Sequence, residues 1–131
     1  MTSVGPRRFK ENVLKHKSYA FELRIVNAYK QLCSNEKEYV LSKQLLRSGT
    51  SIRANVSEGN RAQSRMDFVH KLSIALKEAD ETEYWISLLR DAEYISSGQA
   101  ESLLTDCFEL QKILTSSIKT AKSKSDIDSA H

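Results

Sequence analysis

The sequence predicts an all-α fold, an antiparallel up-down-up-down four-helix bundle. Three observations carry that expectation. Helix breakers are scarce, with one proline (Pro6) and four glycines (Gly5, Gly49, Gly59 and Gly98) in 131 residues, so long stretches are free to coil. Apolar residues recur at alternating spacings of three and four, the period of one helix face. The segments marked in this way are joined by short polar connections, which make successive helices antiparallel neighbours. No alternating strand pattern competes, and no solenoid-type repeat is present.

Residues 1–10 read as a flexible arm ending in Arg7, Arg8 and Lys10. The first helix is expected from about Asn12 to Cys33. Leu14, Ser18, Phe21, Ile25, Ala28 and Leu32 follow one another at spacings of 4, 3, 4, 3 and 4, which makes a bundle seam. Ser34-Asn35-Glu36 is a short polar turn. The second helix is expected from near Lys37 to about Glu58, with Leu41, Leu45, Ile52 and Val56 along one side and Ser48 and Gly49 where the seam crosses its middle. Glycine costs about 1 kcal/mol against alanine inside a helix, so a close approach by a neighbouring helix is the reason expected for Gly49. Gly59 suits a helix C-terminus.

Ser64 with Asp67 three residues on resembles a capping box, with the shorter Asp in place of Glu or Gln. A third helix then runs from about Arg65 to Tyr94, with Phe68, Leu72, Ala75, Leu76, Ala79 and Ile86 as its seam. Ser96-Ser97-Gly98 forms the last turn. The fourth helix carries Leu103, Cys107, Leu110, Leu114 and Ala121 at seam spacing. The polar segment KSKSDIDSAH from Lys122 onward reads as disordered. The bundle domain is thus 11–121, between an arm (1–10) and a tail (122–131).

Composition narrows the function classes. No run of about 18 apolar residues exists, so no membrane span is expected, and the N-terminal MTSVGPRRFKE lacks the apolar core of a secretory signal. Cys33 and Cys107 are too few and too far apart for a disulfide framework or a zinc site; reduced thiols in a cytoplasmic protein are the simplest reading. The net charge of +3 is unevenly spread: residues 1–77 hold 15 Lys and Arg against 6 Asp and Glu, and residues 78–131 hold 5 against 11. Such a split marks either a nucleic-acid face on the basic half or two halves that neutralise each other within the bundle or between subunits.

The third helix has more apolar surface than one seam needs. At 100° per residue, Ile74, Tyr84, Trp85 and Leu88 fall roughly opposite Leu72, Ala79 and Ile86. Aromatic residues are enriched in interfaces, so this second stripe, joined by Leu46 of the second helix, is read as an oligomer interface; an arm or loop covering it is the alternative. Glu83 falls within the seam, where a carboxylate needs a partner. Arg47, Ser51 or Asn55 on the second helix is expected to supply it, leaving Asn55 and Glu83 as buried polar residues that set register.

Catalytic chemistry is not expected. Asp67-x-x-His70 imitates half of a di-iron motif, but such sites repeat the step on two helices and add two glutamates, so neither a metal nor another cofactor is expected. There is no glycine-rich phosphate loop and no nucleophile elbow. The remaining chemistry is basic. Lys43, Arg47 and Arg53 on the second helix, Arg61 and Arg65 beside the following loop, and Lys71 can contact phosphates, holding a backbone without reading bases. Aromatic interleaving, which single-strand binding favours, is missing from this stretch. A solvated face is the competing reading.

The segment Leu41 to Leu89 closely resembles the four-helix bundle family that includes the 23S rRNA intervening-sequence proteins. Arg47-Ser-Gly-Thr-Ser-Ile52, Ala54-Asn-Val-Ser-Glu-Gly59 and the stretch from Asp67 to Trp85 carry the resemblance. Arg53 departs from it, standing where a small residue is expected. The resemblance implies a ring-like homopentamer without enzyme activity. The family is also similar to the accessory variability determinant of diversity-generating retroelements, a basic pentamer that engages nucleic acid and a reverse transcriptase. The partners so implied are a second copy of the chain, RNA or DNA, and a reverse transcriptase or other protein. No functional residues come with the resemblance.

Overall fold

The structure, a computed structural model, describes the backbone of residues 6–130 and the side chains of residues 9–124. Residues 1–5 of the expected arm and residue 131 of the expected tail lie outside the described residues. Among the described residues four helices make up the fold: α1 (Pro6–Asn35), α2 (Leu41–Asn60), α3 (Arg65–Asp91) and α4 (Ser97–Ala130). Among the described residues there is no strand. Each helix packs on the next and α4 returns to α1, whereas the backbones of the diagonal pairs stay apart. One core is therefore shared by all four.

The seam residues form that core. Phe21 and Ile25 of α1, Leu45 and Ile52 of α2, Phe68, Leu72 and Ile86 of α3, and Leu110 and Leu114 of α4 are all buried. Burying such side chains stabilises the fold by roughly 1.5–3 kcal/mol each. Ala28, Leu41 and Leu76 are partly buried against the same cluster.

Helix ends depart from the sequence reading where local hydrogen bonds decide them. Pro6 stands at the first position of α1, where its missing N–H is not needed, so the helix starts inside the expected arm. α2 begins at Leu41, not near Lys37. Lys37 adopts a left-handed φ of 53°, and the buried Glu38 folds its carboxylate over the helix start. It accepts from the backbone N–H groups of Val40 (3.3 Å), Leu41 (3.2 Å) and Ser42 (2.8 Å), satisfying donors that the helix itself leaves open.

α3 stops at Asp91 instead of Tyr94. Glu93, at φ 65°, donates its N–H to the Arg90 carbonyl (3.0 Å), and Tyr94 donates to that of Leu89 (2.9 Å). This is the paired pattern that closes a helix through a left-handed residue. α3 opens with Ser64 Oγ accepting from the Asp67 N–H at 3.0 Å, as expected. A reciprocal capping box opens α4: Ser96 Oγ accepts from the Gln99 N–H (3.1 Å), and Gln99 Oε1 accepts from the Ser96 N–H (3.0 Å). α4 continues to Ala130, through residues read from sequence as a tail.

Two glycines mark close approaches. A Cβ on Gly49 would stand 2.7 Å from Ile25 Cγ2, and one on Gly59 would stand 2.6 Å from Leu72 Cδ1. Gly59 has no positive φ and α2 runs one residue past it, so its use is packing against α3 rather than ending the helix.

Candidate nucleic-acid interface

The six cations singled out in the sequence do not form one free patch. Lys43 and Arg61 are exposed, and Arg65 is half-buried. Arg47 is held by α3: Nη1 donates to Glu78 at 3.0 Å and Nη2 to Glu81. The Glu81 hydrogen bond raises the Arg47 pKa above its ordinary range, more than partial desolvation lowers it. Lys71 reaches back to Glu58 of α2 at 2.9 Å, and that hydrogen bond raises its pKa as well. On the far side of the fold, Lys17 pairs with Glu109 at 2.6 Å and Arg24 with Asp106 at 2.7 Å. Much of the charge asymmetry is thus offset within the chain, between basic α1 and α2 and acidic α4 and α3.

Arg53 differs from the rest. It is half-buried, its guanidinium carbon lies 6.0 Å from the Tyr19 ring centroid, and its buried Nε has no hydrogen-bond partner. Tyr19 comes from α1 and is 52% exposed. The aromatic missing from the linear stretch is therefore supplied across a helix boundary, 34 residues away in sequence. Nothing local in the sequence signals that pairing.

The second apolar stripe is largely covered by the chain itself. Leu46, Ile74, Trp85 and Leu88 are half-buried, Trp85 packs against the core cluster, and only Tyr84 is mostly exposed, at 58%. Each helix adjoins two neighbours, so more of its circumference is covered than a single seam suggests. Tyr84 and Trp85 meet edge to face at 4.8 Å, and Trp85 Nε1 is buried without a partner. Exposed apolar side chains that the periodicity missed include Phe9 and Leu23 of α1, Tyr39 and Val40 beside α2, Met66 of α3 and Phe108 of α4.

Glu83 is half-buried and faces α4, not α2: Gln111 Nε2 donates to it at 2.9 Å. Asn55 is also half-buried and donates to the Ser51 carbonyl of its own helix at 2.8 Å. The buried polar link between α2 and α3 is instead Ser48 with Thr82, 2.9 Å apart. Both cysteines are free. Cys107 donates to the Ala79 carbonyl, and burial, reinforced by the Glu83 and Asp80 charges, pushes its thiol up to about 12.

Among the described residues no group of His, Cys, Asp and Glu is placed to hold a metal ion, and no helix is long and apolar enough to cross a membrane. Asp67 and His70 lie in the first turns of α3.

The molecule is in class a four-helix, all-α protein whose cations are partly tied to its own acidic helices. The chain belongs to the 23S rRNA-intervening sequence protein family, whose pattern matches residues 10–116. It is similar to a crystal structure of a protein of unknown function from the S23 ribosomal protein family of Bacteroides thetaiotaomicron: 58% identity, covering 84% of this chain and 98% of that one, with a TM-score of 0.83. No curated protein matches the sequence.

Proposed function

We propose that this protein is a non-enzymatic, cytoplasmic, antiparallel four-helix bundle that assembles as a ring-like homopentamer and binds RNA or DNA. The up-down order is supported by pairs across α1 and α4 that run in opposite directions: Lys10 with Ser116, Lys17 with Glu109, and Arg24 with Ser102. The observation that carries nucleic-acid binding is the Arg53–Tyr19 pair. No hydrogen bond or ion pair holds the half-buried Arg53 guanidinium among the described residues, so its outer N–H groups can meet a phosphate, and the aromatic face beside it offers a stacking platform. Lys43 and Arg61 extend the contact along α2. They are 18 residues apart, about 27 Å at helical rise, so they reach different phosphates of one strand. Repetition around a ring multiplies the effect of each weak contact.

A shift assay with single-stranded RNA at two salt concentrations tests this reading. Affinity is expected to fall as salt rises and to drop in Arg53→Ala and Tyr19→Ala. Binding that ignores salt, or that survives both changes, overturns it. A second reading, an assembly scaffold that never touches nucleic acid, is favoured by the ion pairs that occupy Arg47 and Lys71. It predicts an oligomer by light scattering and no shift with any nucleic acid.

A further inference from the structure

A groove of about 490 Å³ opens between the C-terminal half of α1 and the start of α4, closed at one end by the segment joining α3 to α4. Its volume falls in the range of small-molecule sites. Four features give it a definite chemistry. The floor is apolar, made by Ala28, Leu32, Ile95 and Leu103. The α1 wall carries Asn27, Gln31 and Asn35, spaced four residues apart and so about 6 Å along one face. All three are exposed, and the side chains of Asn27 and Gln31 make no hydrogen bond among the described residues. Gln99 lines the opposite wall.

Tyr94 lines the groove too. Its backbone is fixed by the hydrogen bond to Leu89 and by the left-handed Glu93 before it. A non-glycine residue in that conformation costs roughly 1–2 kcal/mol, a strain kept here at the residue that sets Tyr94 in place. Arg24 stands at the rim, but Ser102 and Asp106 already take its guanidinium: Nη1 donates to the Ser102 carbonyl (3.1 Å) and Asp106 (2.7 Å), and Nη2 to Ser102 Oγ (2.8 Å). With Arg24 neutralised and Glu36 also on the lining, the groove has no free positive charge for a phosphate.

We infer that this groove binds an unpaired adenine base. Carboxamides offer a donor beside an acceptor, the arrangement that matches adenine N6 and N7, whereas guanine is read by Arg or Lys, and the one arginine here is committed. Tyr94 supplies a stacking face, and the apolar floor takes the remaining ring surface. The site lies between α1 and α4, apart from Arg53 and the α2 cations, and does not depend on the phosphate-contact reading.

Adenosine, which carries no phosphate, is the probe. Calorimetric or NMR titration of the full chain is expected to give saturable binding that prefers adenosine to uridine and is indifferent to salt. Gln31→Leu is expected to weaken it about tenfold, the loss of one bidentate amide–base pair. Gly98 supplies a blocking variant. A Cβ there meets nothing closer than Ser96 Oγ at 4.0 Å, so Gly98→Leu fills groove space without a backbone clash and is expected to abolish binding with the melting temperature unchanged or raised. Oligoadenylate in place of adenosine decides the source: tighter binding that Gln31→Leu weakens assigns the site to a strand, and equal affinity assigns it to the free nucleoside. Absence of saturable adenosine binding, equal affinity for uridine, or full binding by folded Gly98→Leu overturns the proposal.

Discussion

Gly49 of α2 lies so close to Ile25 of α1 that a Cβ on it would meet Ile25 Cγ2 at 2.7 Å and Cγ1 at 2.9 Å. Ile25 is fully buried, so it cannot swing away. Gly49→Ala gains about 1 kcal/mol of helix propensity, but overpacking costs about 1–3 kcal/mol, and a net loss of stability is expected. In an Ile25→Ala background the two shortest contacts are gone and only the Cβ at 3.2 Å remains, so the same change should cost less. Urea denaturation of the four proteins measures the coupling; an identical effect of Gly49→Ala in both backgrounds would show that the contact is not what excludes a side chain.

Glu38 is expected to matter more than an ordinary helix cap. Its buried carboxylate serves three N–H groups at the start of α2, whereas Ser96 serves one at α4. Ser96→Ala should cost about 1 kcal/mol. Glu38→Ala should cost about twice that, since it strands several donors, and Glu38→Gln should fall between. Thermal melts rank the three; a Glu38→Ala protein as stable as wild type would refute the capping role.

Cys107 should make the fold sensitive to alkali. Its thiol ionises near 9.0 ordinarily but near 12 when buried, so the folded state holds the proton more tightly than the unfolded one. The contribution is complete below about pH 9 and is lost at about 1.4 kcal/mol per pH unit above it. Cys107→Ala should flatten that limb of the stability curve. At pH 8 a thiol reagent should label half-buried Cys33 first, with Cys107 modified only as the protein opens; simultaneous labelling of both would contradict its burial.

The cations should separate in a salt titration. Lys43→Ala and Arg61→Ala are each expected to reduce the slope of log affinity against log salt by about 0.7 on single strands. Arg47→Ala should reduce it less, because Glu78 and Glu81 already neutralise that guanidinium. Its effect on stability should be about 1 kcal/mol: the exposed guanidinium keeps the pairs weak, but half-buried Glu78 loses its partner. Equal slopes for all three variants would mean that the acidic partners release Arg47 on binding.

Much of the fold was legible because its signal is local. The seam of Leu14, Phe21, Ile25 and Leu32 repeats within a single helix, and Ser64 with Asp67 marks a start within one turn. Glu38 escaped because its side chain caps a helix beginning three residues later, outside the usual box spacing. Ser96 with Gln99 does have that spacing, but the pair overlaps the polar Ser96-Ser97-Gly98 turn, whose composition masks it. Glu83 sits on α3 at an angle that serves α2 and α4 equally well, and only packing chooses between them.

By itself the sequence determined four amphipathic helices, where their apolar seams lie, and that Gly49 needs a close neighbour. Each of these follows from a period or a propensity carried by adjacent residues. Tertiary structure alone decided which charges are neutralised, that Tyr19 stands beside Arg53, and that Tyr94 joins Asn27 and Gln31 around one groove. Those relations link residues tens of positions apart. Helix propensity is indifferent to them, and they exist only once the shared core has set each helix's rotation and depth against its neighbours.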